Sequence, residues 1–214
     1  MTPLGCQLLV LAKEPVAGRV KTRLSPALTP AQGAAVAAAS LADTLAAVAA
    51  TPVARRVLVL DGAVTVPLPH GVEVLPQRGD GLAERLEAAF ADAGPALPTL
   101  LIGMDTPQVT PALLAEAVQA LLRTEAVLGL AVDGGWWALG LHAPRPGAFL
   151  GVPMSTSQTG AAQARRLADL GLATTPLPVL RDVDTLADLD AVLPLLPAGS
   201  ALARLGGRGW ERAA

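Results

Sequence analysis

The sequence contains no tyrosine and is poor in aromatic and charged residues. Aromatic side chains make up 2% of the 214 residues and charged side chains 16%, whereas 52% of the residues are hydrophobic. The core must therefore be built from Leu, Val and Ala, and extended disorder is not expected in so apolar a chain. The net charge is −2 and no basic run is present, which argues against binding to nucleic acid.

Cysteine and histidine are also scarce. Cys6 is the only cysteine, so an intrachain disulfide and a thiol-rich zinc site are excluded. His70 lies in a loop rich in Pro and Gly, and His142 ends an apolar run. We expect both histidines to be solvated or structural, although a His-based mechanism would have to use one of them.

Long hydrophobic runs of membrane length are missing as well. The apolar run Leu8–Ala12 is too short for a secretory signal. The Ala-rich stretch Ala34–Ala50 contains Ser40, Asp43 and Thr44 and is shorter than the ~20 apolar residues of a membrane span. We interpret it as a buried amphipathic helix and expect a cytoplasmic protein without a membrane span.

Strand-length apolar runs alternate with helical patterns along the chain. The predicted strands are Gln7–Lys13, Arg56–Leu60, Val72–Leu75, Leu100–Met104, Ala126–Val132, Trp137–Leu141 and Leu177–Leu180. The predicted helices are Pro30–Ala50, Leu82–Ala93, Pro111–Arg123, Gly160–Leu170 and Thr185–Leu196. This alternation predicts an α/β fold with a mostly parallel central sheet and helices on both faces. We expect one domain over residues 1–196 and a weakly ordered tail over residues 197–214.

In such folds ligands bind outside the carboxyl ends of the strands, so the residues that follow each strand matter most. After the first strand, four cations fall within eleven residues: Lys13, Arg19, Lys21 and Arg23. Gly18 would let the backbone approach a ligand closely. The loop is neither a Walker loop nor a Gly-x-Gly-x-x-Gly loop. It is either a phosphate-binding loop or a solvated basic loop.

A carboxylate follows the fourth predicted strand. Asp105 stands in the segment Gly103-Met104-Asp105-Thr106-Pro107, at the end of a buried strand. A hard cation such as Mg²⁺ binds carboxylate oxygen together with substrate phosphate, so Asp105 is a candidate metal ligand. The alternative is that Asp105 caps the helix that begins near Pro111.

Two further carboxylates, Asp182 and Asp184, follow the last predicted strand. They project to the same side if the segment is extended, and closely placed carboxylates favour a cation or a raised pKa. If one of them shares a cation with Asp105, their carboxyl oxygens should approach to within about 7 Å. The other should then cap the last helix, as Asp184 or Thr185 would also do without any metal.

A tight turn follows the fifth predicted strand. Asp133 is followed by Gly134 and Gly135, which leave open space beside the carboxylate, and then by Trp136 and Trp137. Adjacent residues on a strand point to opposite faces, so only one Trp can line a cleft. The turn is therefore a candidate site for a sugar or an acceptor, with the other Trp in the core.

These segments, in this order, resemble the bacterial GT-A-type glycosyltransferase-like family often called the radical-SAM/selenodomain-associated transferases. The matching stretches are Ala12–Pro26, Gln77–Leu86, Ile102–Pro107, Asp133–Leu141 and Asp182–Leu189. The resemblance implies a nucleotide-diphospho-sugar transferase fold, which also serves nucleotidyltransferases such as the guanylyltransferase that activates 2-phospholactate.

The resemblance also implies roles for single residues. Lys21 and Arg23 would contact phosphates, Asp105 would hold the metal with Asp182 or Asp184 as second ligand, and Asp133 would face the acceptor or sugar. The expected nucleotide and phosphate site comprises Lys13, Gly18, Arg19, Lys21, Arg23, Gly79, Asp80, Arg85 and Gly103. The expected acceptor site comprises Asp133, Gly134, Gly135 and Trp136.

Three functions fit this pattern. The first is a transferase dependent on Mg²⁺ or Mn²⁺ that moves a sugar from a nucleotide sugar to a small-molecule acceptor, with Asp133 as base. The second is a nucleotidyltransferase in which Lys21 and Arg23 stabilise an attacked phosphate and pyrophosphate leaves. The third is a nucleotide sensor without turnover. The sequence specifies neither the sugar, base and acceptor nor the oligomeric state.

Overall fold

The computed structural model describes residues 2–207, which form one α/β domain around a seven-stranded sheet. The strands are β1 (Leu4–Lys13), β2 (Val53–Asp61), β3 (Val72–Pro76), β4 (Thr99–Gly103), β5 (Ala126–Ala131), β6 (Trp136–Leu141) and β7 (Thr174–Leu180). Their order in the sheet is β3-β2-β1-β4-β6-β5-β7. All strands run in one direction except β6, which is antiparallel to β4 and β5. The prediction of a mostly parallel sheet is confirmed.

Helices cover both faces of this sheet. They are α1 (Pro30–Ala50), α2 (Leu82–Ala93), α3 (Pro111–Leu121), α4 (Thr159–Asp169), α5 (Leu186–Val192) and α6 (Ala201–Gly206), with 3-10 helices at Thr22–Leu24 and Leu193–Leu195. One apolar core packs the sheet against α1 and α3, and a second packs the other face against α2 and α4. Strands enclosed in this way are apolar on both sides, which explains their continuous hydrophobic runs.

The longest helix, α1, begins and packs as its sequence predicts. The Thr29 side chain accepts a hydrogen bond from the Gln32 N–H, the Gln32 side chain accepts one from the Thr29 N–H, and Pro30 occupies the first helical position. Length and composition would allow α1 to cross a membrane. Its Leu41 and Leu45 are buried against the sheet.

The chain after residue 196 differs from the expected weakly ordered tail. Within it, α6 packs on α1, and Leu202 is fully buried. The Asp43 carboxylate of α1 accepts hydrogen bonds from the backbone N–H groups of Ala201 (2.6 Å) and Leu202 (2.9 Å), which begin α6. The Ser200 hydroxyl also caps α6 by accepting from the Ala203 N–H, whereas the contact with Asp43 has no local signature in the sequence. The rest of the predicted tail, from residue 208, lies outside the described residues.

The sheet brings the predicted site segments to one edge. Lys13 at the end of β1 lies beside Asp61 at the end of β2, Leu11 of β1 lies beside Gly103 at the end of β4, and Ala131 at the end of β5 lies beside Leu180. Because β6 runs in the opposite direction, its first residue rather than its last lies at this edge. The loops that follow these strands therefore meet above the carboxyl end of the sheet.

Candidate active site

A cleft of about 870 Å³ opens above the carboxyl edge of the sheet. Thirteen of the sixteen predicted site residues line it: Lys13, Arg19, Lys21, Arg23, Asp80, Arg85, Gly103, Asp105, Asp133, Gly135, Trp136, Asp182 and Asp184. The other three, Gly18, Gly79 and Gly134, are not among the residues that line it. The volume of the cleft is large enough for a drug-sized ligand.

The centre of the cleft holds a cation among carboxylates. The Lys21 Nζ atom lies 2.5 Å from Asp105 Oδ1 and 3.1 Å from Asp184 Oδ1, and its side chain is only 5% exposed. From the solvent side, Arg23 Nη1 lies 3.2 Å from Asp184 Oδ2. Burial alone would lower the pKa of Lys21, but Asp105 and Asp184 raise it above its ordinary value. The lysine is therefore an ammonium cation.

The third carboxylate of this group, Asp182, has no cation of its own. Its Oδ1 atom is buried and has no hydrogen-bond partner among residues 2–207. Burial raises the pKa of the Asp182 carboxyl to about 7, and the negative charges of Asp105, Asp133 and Asp184 add to the effect. A buried acceptor left without a partner is costly, so this oxygen is a natural place for a bound cation.

Backbone contacts hold the two carboxylate segments together. The Val183 N–H donates to the Asp105 carbonyl oxygen at 2.8 Å, and the Gln108 side chain donates to the Arg181 carbonyl oxygen at 2.7 Å. Because Lys21 bonds both carboxylates, the Asp105 and Asp184 oxygens are no further apart than the sum of its two distances, which is less than the expected limit of about 7 Å.

The prediction that Asp182 or Asp184 caps the last helix is wrong, because neither of them caps α5. Thr185 does so, because its hydroxyl accepts from the Asp188 N–H while the Asp188 carboxylate accepts from the Thr185 N–H. A capping box of this kind leaves Asp184 free to bind the basic loop. Asp105 does not cap α3 either, since Thr110 accepts from the Leu113 N–H there.

The basic loop reaches the carboxylates through two left-handed residues. Gly18 has a φ of 77° in the turn that the Arg19 N–H closes on the Val16 carbonyl oxygen. A Cβ atom there would contact nothing, so the turn, rather than a close approach to a ligand, explains this glycine. Lys21 has a φ of 50°, which is uncommon for a residue with a Cβ atom and directs its side chain into the cleft.

One wall of the cleft is formed where β2, β3 and α2 meet. Arg85 Nη1 lies 2.5 Å from Asp61 Oδ2, and Arg85 Nε donates to the Gly79 carbonyl oxygen at 3.1 Å. The Gln77 side chain donates to the carbonyl oxygens of Ala12 (2.7 Å) and of β2 (3.1 Å). Sequence reasoning missed Asp61 and Gln77 as cleft residues, although each lies where a strand ends.

Another wall of the cleft lies at the turn between β5 and β6. The Asp133 side chain is exposed, and its Oδ1 atom accepts from the Gly135 N–H at 2.8 Å. A Cβ atom on Gly134 would overlap the Ser157 carbonyl oxygen, so this glycine allows the turn to pack against the start of α4. That packing brings the segment 154–157 into the cleft, and its residues were not predicted to belong to it.

The two tryptophans differ in burial, although both are among the residues that line the cleft. Trp137 is 1% exposed, and its indole N–H donates to the Pro178 carbonyl oxygen at 2.9 Å, so it belongs to the core. Trp136 lines the cleft and packs on Phe149, with ring centroids 6.3 Å apart. The Trp136 indole nitrogen is buried without a hydrogen-bond partner among the described residues.

The carboxylates fit a hard divalent cation better than a soft one. Among residues 2–207, no three His, Cys, Asp or Glu side chains form a ready-made metal site. Mg²⁺ is usually held by only one or two carboxylates together with substrate phosphate, and the unpartnered Asp182 oxygen beside Asp105 suits that pattern.

The fold defines a class. The crystal structure of a "putative nucleotide-diphospho-sugar transferase" from Desulfovibrio desulfuricans G20 has a TM-score of 0.84 at 23% identity, over 97% of this chain and 95% of that one. Rv0371c of Mycobacterium tuberculosis H37Rv in complex with manganese scores 0.55 at 24% identity over 90% and 100%. The 2-C-methyl-D-erythritol 4-phosphate cytidylyltransferase of Thermus thermophilus scores 0.57 at 17% identity over 96% and 99%. The nucleotide-diphospho-sugar transferase fold is thereby confirmed.

Within that class, the sequence identifies a family. Residues 37–156 match the model of the DUF2064 family, described as an uncharacterized protein conserved in bacteria, and the chain belongs to this family. A search of curated proteins finds no match.

Proposed function

We propose that this chain is a transferase that acts on a nucleotide-activated substrate with the help of Mg²⁺ or Mn²⁺, and that it moves a sugar from a nucleotide sugar to a small-molecule acceptor. One observation carries the proposal: Asp105, Asp182 and Asp184 meet a basic loop within a cleft at the carboxyl edge of the sheet. Cations and anions arranged in this way suit a diphosphate bound through a metal. The fold shared with a nucleotide-diphospho-sugar transferase supports the same class.

The carboxylates differ in what they can hold. Both oxygens of Asp184 are paired with Lys21 and Arg23, whereas Asp182 Oδ1 is unpartnered among the residues described. We therefore assign the metal to Asp105 and Asp182, and we assign Asp184 to holding the basic loop. When bound, the metal would neutralise charge on the diphosphate leaving group.

The basic loop would bind the phosphates. Arg23 is 67% exposed at the mouth of the cleft, and Arg19 is exposed beside it, so both can reach an incoming anion. Lys21 lies deeper and would contact the phosphate nearest the carboxylates. Charge-assisted hydrogen bonds of this kind stabilise developing negative charge on the leaving group.

The acceptor would lie at the turn between β5 and β6. Asp133 is exposed there, and its Oδ1 atom accepts the backbone hydrogen bond, so its other oxygen can accept a proton from an acceptor hydroxyl. Trp136 provides an aromatic wall beside it. The enzyme would operate in the cytoplasm, where nucleotide sugars are available.

A nucleotidyltransferase is the second candidate. Lys21 and Arg23 both contact Asp184, so they are close enough together to bind the phosphates of one nucleoside triphosphate. There they would stabilise an attacked phosphorus atom while pyrophosphate leaves. The two candidates differ in the bond that breaks: carbon–oxygen at the sugar, or phosphorus–oxygen at the nucleotide.

Product analysis separates the candidates. The protein is incubated with Mn²⁺, candidate acceptors and labelled nucleotide sugars or nucleoside triphosphates. Release of a nucleoside diphosphate or monophosphate supports sugar transfer, and release of pyrophosphate supports nucleotidyl transfer. Saturable binding without turnover for every acceptor would contradict both and indicate a sensor. Asp133→Asn should lose sugar transfer while it retains nucleotide binding.

A further inference from the structure

The proposed function assigns Lys21 to phosphate, yet in the structure this lysine is bound to the carboxylates. Its Nζ atom lies 2.5 Å from Asp105 and 3.1 Å from Asp184, and only 5% of its side chain is exposed. The ammonium group therefore lies on one of the two carboxylates that we assign to the metal.

A divalent ion on Asp105 would be in conflict with this lysine. Ligand oxygens lie about 2.0–2.6 Å from a hard cation, which is also the distance at which the Lys21 nitrogen contacts Asp105. Two cations so close together repel each other, and the Lys21 side chain is only 5% exposed to the solvent that would screen it. The lysine and the metal therefore compete for Asp105.

Resting on the proposed function, we propose that Lys21 is the resident cation of this site and that it leaves Asp105 for the nucleotide phosphates when the metal enters. Without a nucleotide, the metal must displace a tethered ammonium group. With a nucleotide, that ammonium group gains another anionic partner. Metal and nucleotide therefore favour each other's binding, and thermodynamic linkage makes the effect reciprocal.

The local backbone is suited to such an exchange. Lys21 adopts a left-handed conformation without being a glycine, and Gly18 supplies a second left-handed position three residues earlier. A residue with a Cβ atom is held in this conformation only at a cost, which here is offset by the two ion pairs of its side chain. Once those ion pairs are replaced, Lys21 can leave this conformation.

The chain offers a matched control for a test. It contains only two lysines, Lys13 and Lys21, and both line the cleft. Among the described residues, Lys21 alone of the two forms an ion pair with the carboxylates. The variants Lys21→Met and Lys13→Met remove the same charge from two places in one cleft.

The first measurement is the affinity for Mn²⁺ in the absence of nucleotide, followed by electron paramagnetic resonance of free Mn²⁺. Lys21→Met should bind Mn²⁺ roughly tenfold more tightly than the parent, which is a typical coupling between two ligands. Lys13→Met should change the affinity less than about threefold, because its charge does not contact Asp105. Circular dichroism checks that each variant is folded.

The second measurement uses the unaltered protein and detects displacement directly. Brief acetylation of amines, mapped by mass spectrometry, should leave Lys21 protected without metal and modify it when Mn²⁺ is present. Lys13, which is exposed, should be modified equally under both conditions.

The outcomes separate this inference from the function on which it rests. Tighter Mn²⁺ binding by Lys21→Met together with Mn²⁺-dependent modification of Lys21 supports the exchange. Equal affinity of the variant and the parent overturns it and leaves the proposed metal site intact. Tighter binding with Lys21 still protected in Mn²⁺ also overturns it, because the lysine then acts only through its charge. If neither protein binds Mn²⁺, with or without a nucleotide, the metal site itself is wrong.

Discussion

The carboxylates of Asp105 and Asp92 both lie 2.5 Å from a cation, yet the two ion pairs have different surroundings. Asp92 of α2 receives two hydrogen bonds from Arg78, and the pair is isolated at the surface. The pKa of Asp92 is lowered chiefly by these hydrogen bonds. Asp105 shares one buried lysine with Asp184 and lies beside Asp182, which has a raised pKa.

The difference lies in the balance of charge. Arg78 and Asp92 form a one-to-one pair, in which each group satisfies the other and little is left for a ligand. Around Lys21, three carboxylates face one buried and one exposed cation, so negative charge is in excess. Unfavourable charge that a fold could easily have avoided indicates a functional site. The predictions for variants below use Asp92 or Arg78 as the balanced counterpart.

The largest effect is expected from Asp105→Asn. The substitution keeps the shape of the side chain and removes its charge. Loss of a metal ligand should weaken Mn²⁺-dependent nucleotide binding at least about 100-fold, since even outer-shell partners of metals contribute 10–100-fold. Isothermal titration calorimetry with and without Mn²⁺ measures this. Asp92→Asn should bind as the parent does, and unchanged affinity in Asp105→Asn would break the distinction between the two carboxylates.

The next effect concerns the basic loop. At saturating Mn²⁺, Lys21→Ala and Arg23→Ala should each weaken the binding of a nucleoside diphosphate by about 10- to 150-fold relative to the parent. This corresponds to about 1.5–3 kcal/mol for a charge-assisted contact. Binding of the bare nucleoside should be unaffected. Arg78→Ala is the control, because that arginine lies outside the cleft lining. Equal affinity in all three variants would make the loop an ordinary solvated surface.

A smaller effect should appear in the free energy of unfolding, and its dependence on pH should be opposite for Asp182 and Asp92. Because the pKa of Asp182 is raised from 3.8 to about 7, the folded state gains stability from the protonated carboxyl below about pH 4, and this stability is lost as the pH rises through 7. Without metal, Asp182→Asn should therefore increase the free energy of unfolding at pH 8 by on the order of 1–4 kcal/mol.

The contribution of Asp92 to stability should have the opposite dependence on pH. Its pKa is lowered, so its contribution is present above the unfolded pKa of 3.8 and is lost as the pH falls through the folded value. Asp92→Asn should thus be slightly less stable than the parent at pH 8, by less than Asp182→Asn is stabilised, since surface pairs contribute little. Urea unfolding at pH 4, 6 and 8 measures both variants. Destabilisation by Asp182→Asn at pH 8 would contradict the raised pKa.

Simple rules of chain geometry were sufficient to predict much of this site. Asp105 follows the buried strand β4 and Asp182 follows the edge strand β7, which runs in the same direction, so the rule that ligands bind at carboxyl ends predicts their meeting. Asp61 and Gln77 obey the same rule and could have been included. The position of the Lys21 side chain could not, because it depends on a left-handed backbone at a residue that is not glycine.

Long-range contacts account for the other features that could not be predicted from the sequence. Ser200 caps α6 locally, but the Asp43 carboxylate that binds the first backbone N–H groups of this helix is 158 residues away and could not be predicted. The sequence 154–157 enters the cleft only because Gly134 and Gly160 allow β5, β6 and α4 to pack closely. Such contacts depend on the assembled fold, whereas helix starts such as Thr29 or Thr185 are encoded locally and can be predicted from a few residues.

The most direct test of the central claim is a thermal-shift measurement with nucleoside diphosphate sugars in the presence and absence of Mn²⁺. If the unbalanced carboxylates bind a metal–nucleotide complex, at least one nucleotide sugar should raise Tm beyond the effect of Mn²⁺ alone, and only when Mn²⁺ is present. At one hundred times its Kd it should add about 2.7 kcal/mol, or roughly 5–10 °C for a chain of this length. A Tm that no nucleotide raises, or that a nucleotide raises equally without metal, would contradict the account.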